Sequence, residues 1–131
     1  MSDKNILIID NSPDILMGMQ KMLIKEGYKN VDGASNKTEV NIRIKSKKYD
    51  LVFVDMIMPG INGVDIIREI LKLSPGAYLV LTIDTINQPL RDKLGSLIKY
   101  SHNIHYLEKP FLPEEILRII QNAMQNRGLN K

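Results

Sequence analysis

Short apolar runs alternate along this chain with longer segments of helical spacing. Residues 5–10 read NILIID and residues 51–55 read LVFVD, and both runs end in a carboxylate. Unbroken apolar runs of this length are typical of strands buried on both faces of a parallel sheet. Further runs predict strands at residues 31–34, 78–83 and 104–107.

The segments between these runs carry apolar residues every three or four positions, which predicts amphipathic helices. The first begins at Pro13 and is stopped by Gly27, and the others cover residues 37–46, 64–73, 87–100 and 113–124. The second is ambiguous, because alternation of apolar residues at positions 40, 42 and 44 suits a strand equally well.

Five strands alternating with five helices predict an α/β fold, a doubly wound five-stranded parallel sheet with helices on both faces. The expected strand order is 2-1-3-4-5. We expect residues 1–131 to form a single domain in which residues 125–131 are a flexible C-terminal tail.

Composition narrows the class of protein. With 131 residues and 44% hydrophobic content, the chain can bury a core of its own. It has no cysteine, so neither disulfides nor thiolate metal sites are available. No apolar run approaches the roughly 20 residues of a membrane span, and the N-terminal MSDKN lacks the apolar stretch of a signal peptide. These features predict a cytoplasmic protein with no membrane span.

The charge balance does not indicate a nucleic-acid partner. The formal net charge is +3, from 18 basic and 15 acidic residues, and much of the excess lies between residues 37 and 48. Nucleic-acid binders usually combine a larger basic excess with interleaved aromatic residues, whereas this chain has no Trp and two Phe. We interpret the basic cluster as a solvated helix face, and expect no direct nucleic-acid binding.

Polar residues close the predicted strands. They are Asp10 followed by Asn11, then Asp55, Thr82 and Lys109. In open parallel sheets, chemistry gathers at the carboxyl ends of the strands. The first and third strands are neighbours in the expected order, so Asp10 and Asp55 should converge and need a counter-charge. Mg²⁺ suits such a pair because it takes oxygen ligands and keeps several waters, and Asn11 can add a carbonyl oxygen.

The other two strand ends suit a phosphate. Lys109 brings a positive charge and Thr82 brings a hydroxyl group. Phosphoryl transfer requires an in-line nucleophile with positive charge or hydrogen-bond donors around the phosphoryl oxygens. The strand ends therefore predict Asp55 as the nucleophile, a metal ion and Lys109 as the charge, and Thr82 as a donor.

Three segments resemble motifs of the response-regulator receiver family, also called CheY-like domains, which have a flavodoxin-like fold. They are VFVDMIMPGING, which places the phosphorylated aspartate at Asp55, LVLT, which places the hydroxyl residue at Thr82, and YLEKPF, which places the lysine at Lys109. The resemblance covers residue 6 to about residue 124. It implies that the Lys109-Pro110 peptide bond is cis.

The resemblance also implies a mechanism. A sensor histidine kinase or a phosphotransfer protein would donate a phosphoryl group to Asp55 in a Mg²⁺-dependent step, with Asp10, Asn11, Asp55 and the backbone carbonyl of Ile57 as metal ligands. Thr82 and the switch aromatic Tyr106 would then reshape a surface that binds a downstream protein target or effector domain. Such a chain is a signalling domain, with only intrinsic phosphoryl transfer and autodephosphorylation, whose rate Ile57 and Asp84 would tune.

The chain departs from the family pattern at three places. Asn11 stands where a second acidic residue is usual, which removes a negative charge and should weaken metal binding. Ile83 stands where a small residue is usual, and its bulk is expected to narrow access to Asp55. Residues 101–105 replace a Gly-Ala approach to the last strand. These departures leave open a degenerate receiver, a protein-interaction module that acts without phosphorylation.

Other classes are less well supported. A nucleotide or flavin binder on the same architecture would need a glycine-rich loop after the first strand, but the loop here reads DNSPDI. A phosphatase with a strand-end aspartate would normally carry a second acid two residues later, where this chain has Ile57. His102 and His105 have no third ligand nearby in the sequence, so we expect solvent-exposed residues rather than a metal pair.

Overall fold

A computed structural model describes residues 2–83, 92, 95 and 103–129. The predicted helix at 87–100 lies outside the described residues apart from positions 92 and 95, both of which are helical. Asp84, Ser101 and His102 also lie outside them.

The chain alternates strands with helices, as the apolar pattern predicts. The helices are α1 (Pro13–Lys25), α2 (Lys37–Ser46), α3 (Gly63–Leu73) and α4 (Pro113–Leu129). The strands are β1 (Ser2–Ile9), β2 (Tyr28–Ala34), β3 (Leu51–Asp55), β4 (Ile57–Met58), β5 (Ile61–Asn62), β6 (Tyr78–Ile83) and β7 (Ile104–Glu108). The last helix continues past residue 124, so it includes positions that we assigned to a C-terminal tail.

One five-stranded sheet, in the order β2-β1-β3-β6-β7, forms the centre of the molecule. All four neighbouring pairs are parallel. The predicted order 2-1-3-4-5 is therefore confirmed once the two-stranded pair β4-β5, which lies outside this sheet, is set aside.

Two layers of core cover the two faces of the sheet, because successive strand residues point to opposite sides. Ile6, Ile8 and Phe53 pack with residues of α1 and α4. Leu7, Ile9 and Val54 pack instead with residues of α2 and α3. The sheet is thus covered by helices on both faces, and its inner strands β3 and β6 are buried at every position.

Tertiary packing resolves the ambiguity of residues 37–46 in favour of a helix. Val40 and Ile44, one helical turn apart, are buried, whereas Ile42 is 62% exposed. Alternating strand positions would have placed all three side chains on one face. The helix begins with Asn36, whose side-chain oxygen accepts a hydrogen bond from the backbone N–H of Glu39 at 2.9 Å.

The basic residues of α2 and the segment after it lie partly over the edge strand β2. Asp32 of that strand accepts a hydrogen bond from the Tyr49 hydroxyl at 2.8 Å and forms ion pairs with Lys47 at 3.1 Å and Arg43 at 3.6 Å. Burial opposes ionisation of Asp32, but these hydrogen bonds and positive charges outweigh it and lower its pKa. Part of the basic cluster therefore neutralises an acid on the sheet edge.

Candidate functional site

The carboxyl ends of β1, β3, β6 and β7 lie at one edge of the sheet. Backbone hydrogen bonds fix the positions of the residues that follow β1 and β7. The register places Asp55 directly opposite Thr82. Beyond the strands, the N–H of Asp10 donates to the carbonyl of Ala34 at 3.1 Å, and the N–H of Lys109 donates to the carbonyl of Ile83 at 2.7 Å. The strand ends thus hold residues 10, 55, 82 and 109 in one neighbourhood.

Lys109 joins the two carboxylates. Its Nζ lies 3.2 Å from Oδ2 of Asp10 and 3.4 Å from Oδ2 of Asp55. Both aspartates are buried, and the lysine side chain is only 16% exposed. The predicted convergence of these three residues is confirmed. The predicted cis geometry of the Lys109-Pro110 bond is confirmed as well.

Backbone N–H groups hold the other oxygen of each carboxylate. The N–H of Ser12 donates to Oδ1 of Asp10 at 2.8 Å, and the N–H of Ile57 donates to Oδ1 of Asp55 at 3.1 Å. Each donor follows its aspartate by two residues, which is the pattern of an Asx turn. Sequence reasoning missed both contacts, although an aspartate that directly precedes a loop is the signal that indicates them.

Burial and the contacts among Asp10, Asp55 and Lys109 shift the pKa values of Asp55 and Lys109. Desolvation of Asp55, reinforced by the charge of Asp10, raises its pKa above the ordinary value, although the Ile57 N–H and Lys109 act in the opposite direction. Burial by itself would lower the pKa of Lys109, but attraction and hydrogen bonds to Asp10 and Asp55 outweigh it and raise that pKa. Lys109 is therefore held as a cation beside a carboxylate of raised basicity.

The donor set of the site fits a hard cation. Asp10 and Asp55 present oxygens to one point, where the ammonium of Lys109 already lies between them. Asn11 and Ile57, the other predicted ligand positions, are both exposed at this edge. Within the described parts of the chain, no group of three or more His, Cys, Asp or Glu side chains could hold a metal ion. A metal ion bound here would have the carboxylates of Asp10 and Asp55 as ligands, together with amide and carbonyl oxygens.

The two residues of the predicted switch pair, Thr82 and Tyr106, differ in burial. The Thr82 hydroxyl is buried and donates to the backbone carbonyl of Val54 over 3.4 Å. Tyr106 on β7 is 37% exposed. Ile83 is 1% exposed and belongs to the core layer under α2 and α3. Its expected effect on access to Asp55 stays a prediction.

A small hairpin follows Asp55, in a segment to which the apolar pattern assigned neither a strand nor a helix. Ile57 pairs with Asn62 and Met58 pairs with Ile61, in antiparallel fashion. The intervening Pro59-Gly60 suits a tight turn, and Gly60 has a φ of 74°, a conformation that favours glycine. Strands of two residues are too short to produce an alternating pattern, so periodicity could not have revealed this hairpin.

An apolar groove opens beside the site. A cavity of about 340 Å³ is lined by Ile15, Lys109, Pro110 and Phe111. Ile15 and Phe111 also line a second cavity of about 310 Å³ that follows α1 and α4. The groove places apolar surface next to Lys109.

His105 lies outside this site. It is an exposed residue of β7 whose ring stacks on Tyr78, with 4.9 Å between ring centroids. Its predicted exposure is confirmed, while His102 lies outside the described residues. Among the described helices, none is both long and apolar enough to cross a bilayer.

Comparisons with known proteins agree with this fold. The model of the response regulator receiver domain matches residues 6–121. The chain is 27% identical over 129 residues to the chemotaxis protein CheY of Thermotoga maritima, covering 92% of this chain and 97% of that protein. It is 30% identical over 119 residues to the protein PilH of Pseudomonas aeruginosa, covering 91% and 96%.

Solved structures show the same architecture. A receiver domain protein from Methanospirillum hungatei superposes with a TM-score of 0.86 at 23% identity, covering 99% of this chain and 100% of that one. A receiver domain protein from Clostridium thermocellum gives 0.79 at 28% identity, covering 98% and 99%.

The chain belongs to the response regulator receiver domain family, and it is a receiver domain of the kind found in two-component signalling. Proteins of different length contain this domain. The chain spans 97% of CheY from Thermotoga maritima. It spans only 59% of the ycf29 protein of Porphyra purpurea, to which it is 30% identical over 127 residues.

Proposed function

We propose that this receiver domain accepts a phosphoryl group on Asp55 from a phosphohistidine of a sensor histidine kinase or a phosphotransfer protein. The single observation that carries the proposal is the contact of Lys109 with both Asp10 and Asp55. A partly buried lysine held as a cation beside a buried carboxylate provides the positive charge and the nucleophile that phosphoryl transfer requires.

In the transfer step, Oδ2 of Asp55 attacks phosphorus and forms a P–O bond. The N–P bond of the phosphohistidine breaks, its electron pair returns to the imidazole nitrogen, and that nitrogen takes up a proton. The backbone N–H of Ile57 holds Oδ1 at 3.1 Å, which leaves Oδ2 as the oxygen that faces Lys109. Because Lys109 has a raised pKa, it stays charged and can donate to the phosphoryl oxygens.

Mg²⁺ would be held by Asp10, Asn11, Asp55 and the backbone carbonyl of Ile57, and it would supply further positive charge for the phosphoryl oxygens. The fit of two carboxylates around one cationic position supports this assignment.

The output of phosphorylation would be a change at Thr82 and Tyr106. The hydrogen bond of the Thr82 hydroxyl to Val54 is long, at 3.4 Å, so a phosphoryl oxygen on the neighbouring Asp55 can replace it at low cost. Movement of Thr82 would allow the exposed Tyr106 ring to turn inward, and the altered surface would bind a downstream protein. A protein donor would meet the groove lined by Ile15 and Phe111 as it approaches Lys109.

Phosphorylation by a small-molecule donor tests the proposal. Incubation with phosphoramidate and Mg²⁺ should add one phosphoryl group, seen by intact mass spectrometry and removed by hydroxylamine. Asp55→Asn should abolish this mass gain. Asp65→Asn, which changes an exposed aspartate of α3, should leave it intact.

A mass gain that persists in Asp55→Asn would contradict the assignment of the acceptor. If the native chain gains no phosphoryl group, although it is folded, the degenerate receiver becomes the better description, and Asn11 would be its first explanation.

A further inference from the structure

The only Asn-Gly pair in this sequence, Asn62-Gly63, lies where α3 begins. Asparagine is thermolabile because the backbone nitrogen of the next residue can attack its side-chain amide. Glycine has no Cβ, so its nitrogen can approach that amide without steric hindrance. The fold also requires this glycine, because a Cβ at position 63 would lie 3.0 Å from Cε of Met56. The labile pair is therefore built into the packing.

The helix cap prepares the Asn62 side chain for such an attack. Its Oδ1 accepts hydrogen bonds from the backbone N–H groups of Val64 at 3.0 Å and Asp65 at 3.3 Å. Both donors would stabilise the negative charge that this oxygen gains when its carbon is attacked, as an oxyanion hole does. Gly63 is the first residue of α3, so no carbonyl of that helix accepts a bond from its N–H. Asn62 is exposed, so water can reach its amide.

Asn36 shows what this arrangement adds, because it caps α2 in a similar way. Its Oδ1 accepts one backbone N–H, from Glu39 at 2.9 Å, and the next residue is Lys37 instead of glycine. The Cβ of a lysine hinders the approach of its own nitrogen to the preceding side chain. Asn36 therefore has one donor at its carbonyl oxygen and a hindered nucleophile, whereas Asn62 has two donors and an unhindered nucleophile.

Asp32 also precedes a glycine, so it offers a second comparison. Its carboxylate accepts the Tyr49 hydroxyl at 2.8 Å and forms an ion pair with Lys47 at 3.1 Å. An ionised carboxylate is a poorer electrophile than an amide, and these partners keep the carboxylate ionised. A following glycine is therefore not sufficient, and position 62 is where an amide and a glycine coincide.

We propose that Asn62 is a site of spontaneous deamidation in the folded protein, and that one of the two products disables the pocket around Asp55. In the first step, hydroxide removes the backbone proton of Gly63, and the nitrogen forms a bond to Cγ of Asn62. The bond from Cγ to the side-chain nitrogen breaks, and that nitrogen takes a proton from water and leaves as ammonia. Hydroxide is regenerated, and a cyclic succinimide remains.

Water opens the succinimide in one of two ways. If the bond between the Gly63 nitrogen and Cγ breaks, an ordinary aspartate remains at position 62. Aspartate is a favoured helix cap, so this product keeps the start of α3. If the bond between that nitrogen and the backbone carbonyl carbon of residue 62 breaks, the chain continues through the former side chain as isoaspartate. Water is the only co-reactant in either case.

Isoaspartate would disrupt the contacts that connect residue 62 with the pocket. Asn62 pairs with Ile57 in the hairpin of β4 and β5, and the N–H of Ile57 holds Oδ1 of Asp55 at 3.1 Å. Isoaspartate inserts one carbon into the backbone and removes the side-chain oxygen that caps α3. It should therefore displace Ile57 and misplace the Asp55 carboxylate. This consequence rests on the proposed function, since it concerns the acceptance of a phosphoryl group by Asp55.

The first experiment ages the folded native chain at mildly alkaline pH and follows it by mass spectrometry with peptide mapping. Position 62 should gain about 1 Da, the change from an amide to a carboxyl group, about 10-fold faster than position 36. Asn62→Ser should show no gain at position 62, because serine is also a favoured cap but has no amide. Asn36→Ser is the matched control and should leave the gain at Asn62 unchanged.

The second experiment labels the aged protein with phosphoramidate and Mg²⁺. The isoaspartate form, separated by chromatography, should be labelled more slowly than fresh protein by about 10-fold or more, as expected when a reacting group is misplaced. Asn62→Asp carries the other product and should be labelled like the fresh native chain.

Equal rates of mass gain at Asn62 and Asn36 would overturn the assignment of the modification site. Equal labelling of the isoaspartate form and of fresh protein would overturn its effect on the pocket. If fresh native protein is not labelled at all, the proposed function fails, whereas the rates of mass gain at Asn62 and Asn36 still decide the modification site.

Discussion

Lys109 contacts Asp55 over 3.4 Å although 54 residues separate them in the sequence. The same ammonium contacts Asp10, 99 residues away, over 3.2 Å. The pocket of this receiver domain is therefore an ion cluster in which a single lysine neutralises part of the charge of two buried acids. We therefore expect the effect of changing one of these three charges on stability to depend on the other two.

Replacing Lys109 with Met should destabilise the protein more than a surface substitution does. Two buried carboxylates would lose their only cationic contact among the described residues, and such losses cost about 3 kcal/mol or more. Adding Asp55→Asn to Lys109→Met should recover part of this loss, because one of the two charges is removed. Urea denaturation of the native chain, both single variants and the double variant measures the coupling.

Additive effects in this cycle would contradict the ion cluster. Lys109→Met should also slow phosphorylation by phosphoramidate by about 100-fold or more, the usual cost of losing a group that stabilises transition-state charge.

Asp55→Asn alone should stabilise the protein at neutral pH. Burial raises the pKa of Asp55 above the ordinary value of 3.8, so the folded chain binds more protons than the unfolded chain between these two pKa values. Stability therefore falls as pH rises through this window, and the native protein stays less stable above it. The variant lacks this charge, so its advantage should be largest at neutral pH and should vanish as the pH falls below 3.8.

Thermal denaturation in the presence of a metal chelator, from acid to neutral pH, measures this difference. Asp65→Asn serves as the control, because that side chain is 69% exposed in the first turn of α3. It should bring no stabilisation at neutral pH, since an acid there interacts favourably with the helix N-terminus. A difference between Asp55→Asn and the native chain that grows toward low pH would contradict the argument.

Tyr78 and Tyr49 should respond in opposite ways to loss of the hydroxyl group. The Tyr78 hydroxyl is buried and has no hydrogen-bond partner in the described structure, so Tyr78→Phe should leave stability unchanged or raise it by up to about 1 kcal/mol. The Tyr49 hydroxyl donates to Asp32 at 2.8 Å, so Tyr49→Phe should cost about 1.5 kcal/mol. Chemical denaturation of the two variants side by side gives both values.

Replacing two glycines with alanine should likewise have opposite effects on stability. A Cβ at Gly63 would lie 3.0 Å from Cε and 3.3 Å from the backbone oxygen of Met56, so Gly63→Ala should destabilise the turn after Asp55 by about 1 kcal/mol. A Cβ at Gly18 in α1 would meet nothing within 4 Å, so Gly18→Ala should stabilise the protein by about 0.5–1 kcal/mol. Stabilisation by both substitutions would contradict this prediction, because the Met56 side chain would then move away from the new Cβ at little cost in free energy.

Thr82→Val should separate anion binding from the switch. Valine has nearly the same shape but no hydroxyl, and the bond that it loses to Val54 is long, so the variant should fold normally. Beryllofluoride with Mg²⁺ should shift the ring resonances of Tyr106 in the native chain and move them less in Thr82→Val. Equal shifts in both proteins would exclude the Thr82 hydroxyl as the link to Tyr106.

Much of the architecture could be predicted from local pattern. The apolar runs located β3 and β6, which are buried at all positions, and so their ends at Asp55 and Ile83 were placed correctly. The hairpin of β4 and β5 could not be predicted, because strands of two residues carry no period. Neither could the choice between helix and strand for residues 37–46, which depended on the burial of Val40 and Ile44.

What the sequence by itself determined is the order of the five main strands and the helices, and the polar residues at or just after the ends of four of those strands. These follow from periodicity and from the rule that chemistry gathers where parallel strands end. Only the tertiary structure decided how those residues meet. Lys109 reaches both carboxylates, and the Thr82 hydroxyl turns to Val54 instead of joining them. Side-chain direction depends on packing and on competing charges from distant parts of the chain, and local sequence does not encode either.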